Sequence, residues 1–249
     1  MVNILKQYKK EYDYSYSSGA SVTIEMILSK PEIIREVYIH SSYNSESRAE
    51  LEKLCSKNNI AVRYDDKVFA RINHNQKENC FVLGVFGKYS HTLDTTKPHV
   101  LLVNPADMGN LGTIIRIIAG FNICNLAVIT PCADIFNPKT IRASMGAIFH
   151  INFQKFNSFE EYADLFRSHS MFPFMLNADI ILGPETCPVV QDNLFTLIFG
   201  NESTGLDENI YAKTGVGIKI PQSALVDSLN LSVAVGIGAF IFAAKNKLI

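Results

Sequence analysis

The stretch covering residues 217–245, GIKIPQSALVDSLNLSVAVGIGAFIFAAK, constrains the fold more than any other. Residues 231–244 are apolar or small at nearly every position. A helix that is apolar all round belongs in an interior rather than on a surface. It is too short to span a bilayer, which needs ~18 or more apolar residues. Residues 217–220 read as a short buried strand, stopped at Pro221 because proline cannot donate to a ladder. The polar loop that follows ends in Ser228-Leu229-Asn230, and Ser228 and Asn230 are both helix-cap types. Gly236 and Gly238 each weaken a helix by about 1 kcal/mol relative to alanine, so another part of the chain or a partner is expected to approach closely there.

A chain of 249 residues has room for one large domain or two smaller ones. Its net charge of −1 offers no general attraction to nucleic acid or an anionic membrane, so any anion-binding surface must be a local patch. The five cysteines are scattered without a Cys-x-x-Cys pair, which argues against a zinc site and for reduced thiols. The start of the chain lacks the apolar core of a signal peptide. The expectation is a cytoplasmic protein with no metal and no membrane contact.

Residues 1–90 read as a small alternating α/β unit. Helices are expected over 22–36, with Pro31 breaking the run, over 46–57 and near 68–72; strands are expected over 37–40, 60–64 and 80–85. Tyr8, Tyr12, Tyr14 and Tyr16 are compatible with base stacking, but a packed or partly exposed tyrosine edge is the favoured reading. Residues 91–98 form a polar linker, so a chain beginning near Thr92 is expected to fold by itself. Residues 99–249 make a second unit, with strands over 99–103, 126–129 and 194–199. Helices follow over 110–121, after the Asn137-Pro138 cap, and from the Ser158…Glu161 capping box. Strand–helix alternation implies a mostly parallel sheet covered on both faces.

Three loops at strand ends carry more glycine and polar residues than a core needs. They are Asn104-Pro-Ala-Asp-Met-Gly-Asn-Leu-Gly-Thr-Ile-Ile-Arg116, Phe199-Gly-Asn-Glu-Ser-Thr-Gly-Leu206, and residues 220–230. In open α/β sheets, ligands bind beyond the carboxyl ends of strands, where these loops should gather. Neither Gly-x-Gly-x-x-Gly nor Gly-Lys-Ser/Thr is present, nor a Gly-x-Ser-x-Gly elbow, and none of the six histidines lies in the loops. Arg116 sits in an apolar helical neighbourhood and needs a polar or anionic partner there. An ion pair with a carboxylate such as Glu202 is the structural alternative to a role in chemistry.

The loops, in this order, resemble the SpoU-type RNA methyltransferases of the SPOUT superfamily. Asn110, Gly112 and Arg116 match the first motif, residues 199–205 the second, and Ile220-Pro221 with Ser228-Leu229-Asn230-Leu231-Ser232 the third. Pro138-Lys139…Arg142-Ala-Ser-Met-Gly146 also looks like a segment found between the first two. The resemblance covers residues 99–245. Residues 1–90 more loosely resemble the L30e-like RNA-binding domain often placed ahead of it. Ser203 departs from the glycine of the second motif, and Ser18-Gly19 from the Glu-Gly that often precedes the first long helix.

The resemblance implies an α/β fold with a C-terminal trefoil knot, S-adenosylmethionine as cofactor, and methylation of a ribose 2′-hydroxyl in structured RNA, with ribosomal RNA as the favoured substrate. Transfer RNA as substrate, or a non-catalytic RNA-binding relative, are the alternatives. It implies catalytic roles for Asn110, Arg116, Glu202, Ser228 and Asn230. Cofactor contacts are implied at Phe199, Gly200, Asn201, Gly205, Ile220, Pro221, Ser228, Leu229 and Leu231, and an RNA contact at Arg142. Glu202 is expected to hold the motif loops through backbone bonds, and the protein to be a homodimer.

Overall fold

A computed structural model describes residues 5–44, 46–72, 80–178 and 180–249. The chain opens with strand β1 (Tyr14–Ser18), which the sequence reading did not anticipate. Helix α1 (Ala20–Ser29) stops two residues before Pro31, and a 3-10 turn at Pro31–Ile33 leads into β2 (Ile34–Ile39). The expected helix over 22–36 is therefore shorter, because proline removes a helical N–H and disfavours a helical residue before it. Helix α2 (Glu46–Lys57), β3 (Val62–Tyr64), α3 (Asp66–Ile72) and β4 (Val82–Gly87) follow as the sequence implies.

Strand β5 (His99–Val103) starts the second series. Helix α4 (Met108–Gly120) begins two residues before Asn110, because Asp107 caps it by accepting the Asn110 N–H. Then come β6 (Asn125–Ile129), α5 (Pro138–Ala143, capped by Asn137), β7 (Asn152–Phe156), α6 (Phe159–Leu165, capped by Ser158) and β8 (Ser170–Pro173). The chain ends with β9 (Ile180–Ile181), β10 (Phe195–Phe199), α7 (Glu208–Thr214), β11 (Ile218–Lys219) and α8 (Leu231–Lys245).

Contacts divide the chain into two compact units, residues 1–89 with 134–150, and residues 90–133 with 151–249. In the first unit the strand order is β1-β4-β2-β3, with β3 parallel to β2 and the other pairs antiparallel. One face is covered by α1 and α2 around Ile27, Val37, Ile39 and Leu51; the other carries Tyr16, Tyr38, Leu83 and Val85 with Val68 and Phe69. Residues 134–150 belong here, although the sequence reading put them in the second domain. Phe86 meets both Phe136 and Phe149 ring to ring, Ser15 donates to the Phe136 carbonyl at 2.5 Å, and Tyr8 donates to Asp134 at 2.5 Å.

The second unit is built on a five-stranded sheet in the order β7-β6-β5-β10-β8, every pair parallel. The stretch read as a linker is part of it: Leu93 is 6% exposed in the core, and the Leu93 and Asp94 N–H groups donate to Gln154 and Asn125.

Below the sheet, at the amino ends of β5 and β10, lies a buried polar chain. His99 contacts the Asp94 carbonyl at 2.8 Å and Tyr162 Oη at 2.8 Å; Tyr162 meets Thr196 at 2.7 Å, and Thr196 meets His169 at 3.0 Å. Burial, the largest cause, lowers the pKa of His99 from 6.5 to about 4 and also lowers that of His169. A neutral His99 that donates Nε2–H to Asp94 must accept from Tyr162 at Nδ1. At the other end of the chain, His169 Nε2 donates to the Thr95 carbonyl at 3.4 Å.

Candidate cofactor and active site

The three motif loops meet at the carboxyl ends of β5 and β10. At the end of β10, Asn201 and Gly205 exchange two backbone hydrogen bonds of 3.0 Å, closing residues 201–205 into a ring. A Cβ on Gly200 would lie 2.2 Å from the Gly205 carbonyl, so no side chain fits there. Gly205 has φ +71°, a left-handed conformation that glycine adopts without steric cost. Asn201 ties the ring to β5: its Nδ2 donates to the Asn104 carbonyl at 2.6 Å, and its Oδ1 accepts from the N–H groups of Ser203 and Thr204. Ser203, the departure from the family pattern, has no left-handed φ, so serine sits there without backbone strain.

Glu202 reaches across to the first loop. Its carboxylate accepts from the N–H groups of Ala106 at 3.2 Å and Asp107 at 3.4 Å, and from Asn110 Nδ2 at 3.3 Å. Asn110 in turn accepts from Asn230 Nδ2 at 3.1 Å, and Asn230 Oδ1 accepts from the Ser232 N–H and hydroxyl. One continuous relay, Glu202–Asn110–Asn230–Ser232, thus links the three loops and caps α8. Asn230 is the observed cap of α8; Ser228 lies two residues ahead of it.

The loops enclose a cavity of about 1140 Å³. Asn110, Phe199, Gly200, Asn201, Glu202, Gly205, Ile220, Ser228, Leu229, Asn230 and Leu231 all line it. Pro221 and Arg116 are not among its lining residues, and Arg142 belongs to the first unit. Arg116 is exposed on α4, and its side chain makes no hydrogen bond or ion pair among the described residues. The expected buried partner is absent because the apolar side chains of α4 point one way and Arg116 the other. A pair with Glu202 does not form.

Sequence reasoning missed one wall of the cavity, formed by Phe174, Met175, Leu176 and Asn177 after β8 with Tyr211 and Ala212 of α7. These residues belong to no motif; the one available signal was the small Gly217, whose Cβ would meet the Tyr211 ring at 2.7 Å. Phe174 stacks on Phe199 at 4.3 Å, and a Cβ on Gly238 would lie 2.7 Å from the Phe174 ring. The close approach expected at α8 is therefore real at Gly238. At Gly236 the nearest atom, from Ile117, lies at 3.6 Å, an ordinary contact.

The chemistry of this cavity is that of a small-molecule cradle. Backbone groups from three loops and two stacked phenylalanines surround a space large enough for a nucleoside-sized ligand, as expected of a largely pre-formed pocket. Among the described residues no cluster of His, Cys, Asp or Glu could hold a metal ion, and no helix is long and apolar enough to cross a membrane.

The chain is similar to the 23S rRNA (guanosine(2553)-2′-O)-methyltransferase RlmP of Bacillus subtilis, 25% identical over 214 residues, spanning 86% of this chain and 82% of that one. It is similar also to the 23S rRNA (adenosine(1067)-2′-O)-methyltransferase of Streptomyces laurentii, 26% identical over 198 residues, spanning 77% and 73%. In fold it matches the AdoMet-bound rRNA methyltransferase of Sinorhizobium meliloti with a TM-score of 0.75, at 22% identity, over 93% of this chain and 87% of that one. Residues 97–240 match the SpoU rRNA Methylase family, and with more than half of its length so matched the chain belongs to that family.

Proposed function

We propose that the protein is an RNA 2′-O-ribose methyltransferase that uses S-adenosylmethionine, with ribosomal RNA as its substrate. The observation that carries this reading is the convergence of the three motif loops on one cavity, joined by the Glu202–Asn110–Asn230 relay. Both enzymatic relatives named above bear 23S rRNA 2′-O-methyltransferase names.

When bound, the cofactor supplies an electrophilic methyl group. The backbone around Gly200, Ile220, Leu229 and Leu231 would hold it, with the Phe174–Phe199 stack behind. The chain's own part is alignment of the ribose and handling of its hydroxyl proton. Glu202 acts through position: its carboxylate is spent on two backbone N–H groups and Asn110, so it fixes the first loop rather than serving as a base. Asn110 lines the cavity and orients the ribose. Arg116, a poor base because guanidinium stays protonated, grips phosphate and stabilises the developing alkoxide. Arg142 adds a phosphate contact.

We infer that a second copy completes the site. Val233 and Phe240 stand seven residues apart on one face of α8, and both are about half exposed. Phe240 lies against Phe121 at 5.7 Å, and Ile117 lies against Gly236, so this apolar stripe runs alongside α4, which carries Arg116. Covering the stripe with a second copy brings Arg116 into an interface. Residues 1–90 fit the role of an L30e-like RNA reader, and the C-terminal loops of residues 99–249 that of a knotted cofactor-binding segment.

Arg116→Ala tests the reading. The variant is expected to keep its melting temperature and cofactor affinity while methyl transfer to 23S rRNA falls roughly 100-fold or more. Arg116→Lys should recover little, since lysine lacks the planar two-pronged grip. Near-normal turnover in the lysine variant would remove the gripping role, and wild-type protein that methylates neither ribosomal nor transfer RNA would remove the enzyme reading.

A further inference from the structure

We propose that the tyrosines of β1 in the first unit form a stacking platform for an unpaired nucleotide of RNA; this rests on the reading of the protein as an RNA methyltransferase. The sequence alone favoured a packed tyrosine edge. The structure separates Tyr16 from Tyr12 and Tyr14. Tyr16 is fully buried, with its hydroxyl donating to the Lys6 carbonyl at 2.5 Å. Tyr12 and Tyr14 are only half-buried and stack on each other with ring centres 5.1 Å apart at 16°.

The platform is stiff. Tyr12, Tyr14 and Tyr16 are two residues apart in sequence, which puts Tyr14 and Tyr16 on one face of β1, and Tyr16 meets the edge of Tyr14 at 5.6 Å. Gly87 lies opposite Tyr14 in the ladder, and its missing side chain leaves room for Arg35, whose guanidinium would lie 3.8 Å from a Cβ at that position. The Arg35 guanidinium lies over the Tyr14 ring at 5.4 Å and is held there by Asp13 at 2.8 Å. An already stacked, already braced pair of rings loses little freedom when a base is added.

The rim has the charge an RNA strand needs. Lys6, Lys9 and Lys10 are exposed on the segment leading into β1. Lys88 donates to the Lys10 carbonyl at 2.7 Å and sits 4.8 Å over the Tyr8 ring. The carboxylates nearby are each engaged: Glu11 with Lys9, Asp13 with Arg35, and Asp134 with the Tyr8 hydroxyl. Cations interleaved with stackable rings are the chemistry of single-strand binding, because every base offers a π-face and every linkage a phosphate. An apolar protein partner would call for aliphatic surface here, and among the described residues the large exposed hydrophobics include none from residues 5–18.

The test uses the full chain and a short single-stranded oligoribonucleotide carrying one 2-aminopurine, read by fluorescence quenching and titrated at two salt concentrations. Wild-type protein should quench the probe. Tyr12→Leu, which keeps apolar bulk but not the ring, should weaken binding roughly tenfold. Tyr12→Phe should bind within about twofold of wild type, and both variants should keep the wild-type melting temperature and cofactor affinity. Undiminished quenching by Tyr12→Leu overturns the platform, as does an equal loss in the Leu and Phe variants. Competition by polyglutamate as strong as by unlabelled RNA would assign the surface to an acidic peptide and overturn it also. Methyl transfer to 23S rRNA by the wild type is measured alongside. If transfer occurs and the Leu variant still binds the probe normally, the platform alone fails; if transfer is absent, the enzyme reading fails.

Discussion

At the amino ends of β5 and β10, His99, Tyr162, Thr196 and His169 bond to one another out of reach of water. At the carboxyl ends of the same strands, Asn110, Glu202 and Asn230 bond to one another around a cavity. Both are chains of polar side chains linking separate segments, yet burial sets them to different work. The lower chain is buried, so each hydrogen bond contributes to stability and an unmade one is expensive. The upper chain is half-exposed, so water can replace any one of its bonds. What it supplies is the relative position of three loops.

That contrast breaks most visibly at Gly200. Gly200→Ala puts a Cβ into the Gly205 carbonyl, and the ring it supports must open. Cofactor affinity, measured by calorimetry, should fall roughly 100-fold or more, equivalent to ~3 kcal/mol, while the melting temperature moves little. The lower chain should show the reverse pattern under acid. His99 is neutral in the fold, with its pKa lowered from 6.5 to about 4. Unfolded protein therefore binds the extra proton first, and the stabilisation is complete above pH 6.5 and lost as pH falls toward 4. Denaturant titrations across that window should lose about 3 kcal/mol from this group. A flat profile would mean that His99 reaches solvent.

Tyr162→Phe sharpens the same point at neutral pH. It leaves His99 Nδ1 without its donor and takes one of two partners from the Thr196 hydroxyl, at a cost of about 1–3 kcal/mol, and should leave cofactor affinity unaltered. A parallel fall in cofactor affinity would show that the two ends of the sheet are coupled. The smallest effect is expected at Ser203. Its backbone is not left-handed, so Ser203→Gly should change cofactor affinity by no more than about twofold.

The contrast also explains what could be read from sequence. Strand β5 and the caps Asn137, Ser158 and Asn230 were legible because each rests on local chemistry within a few residues. The upper relay was legible only through resemblance: Glu202 and Asn110 are 92 residues apart, and neither has a neighbour in sequence that names the other. The short strands β7 and β8 escaped because their apolar runs are interrupted, Asn-Phe-Gln-Lys-Phe in one and Ser-Met-Phe-Pro in the other. Arg116 was misjudged for a different reason. Its neighbours Ile114, Ile115 and Ile118 are buried, but helical periodicity turns position 116 outward.

Residues 134–150 carry a consequence for how such a protein can be divided or recombined. The chain passes between the two compact units three times, at residues 89–90, 133–134 and 150–151. A chain begun at Thr92 would keep Phe136, Ile141, Ile148 and Phe149, all buried, but lose Phe86 and the rest of the surface that covers them. Exchanging the first 89 residues with those of a relative would likewise mismatch Ser15 with Phe136 and Tyr8 with Asp134. The inheritable module is thus discontinuous: the amino-terminal segment and a seventeen-residue strap from the middle of the chain must change together.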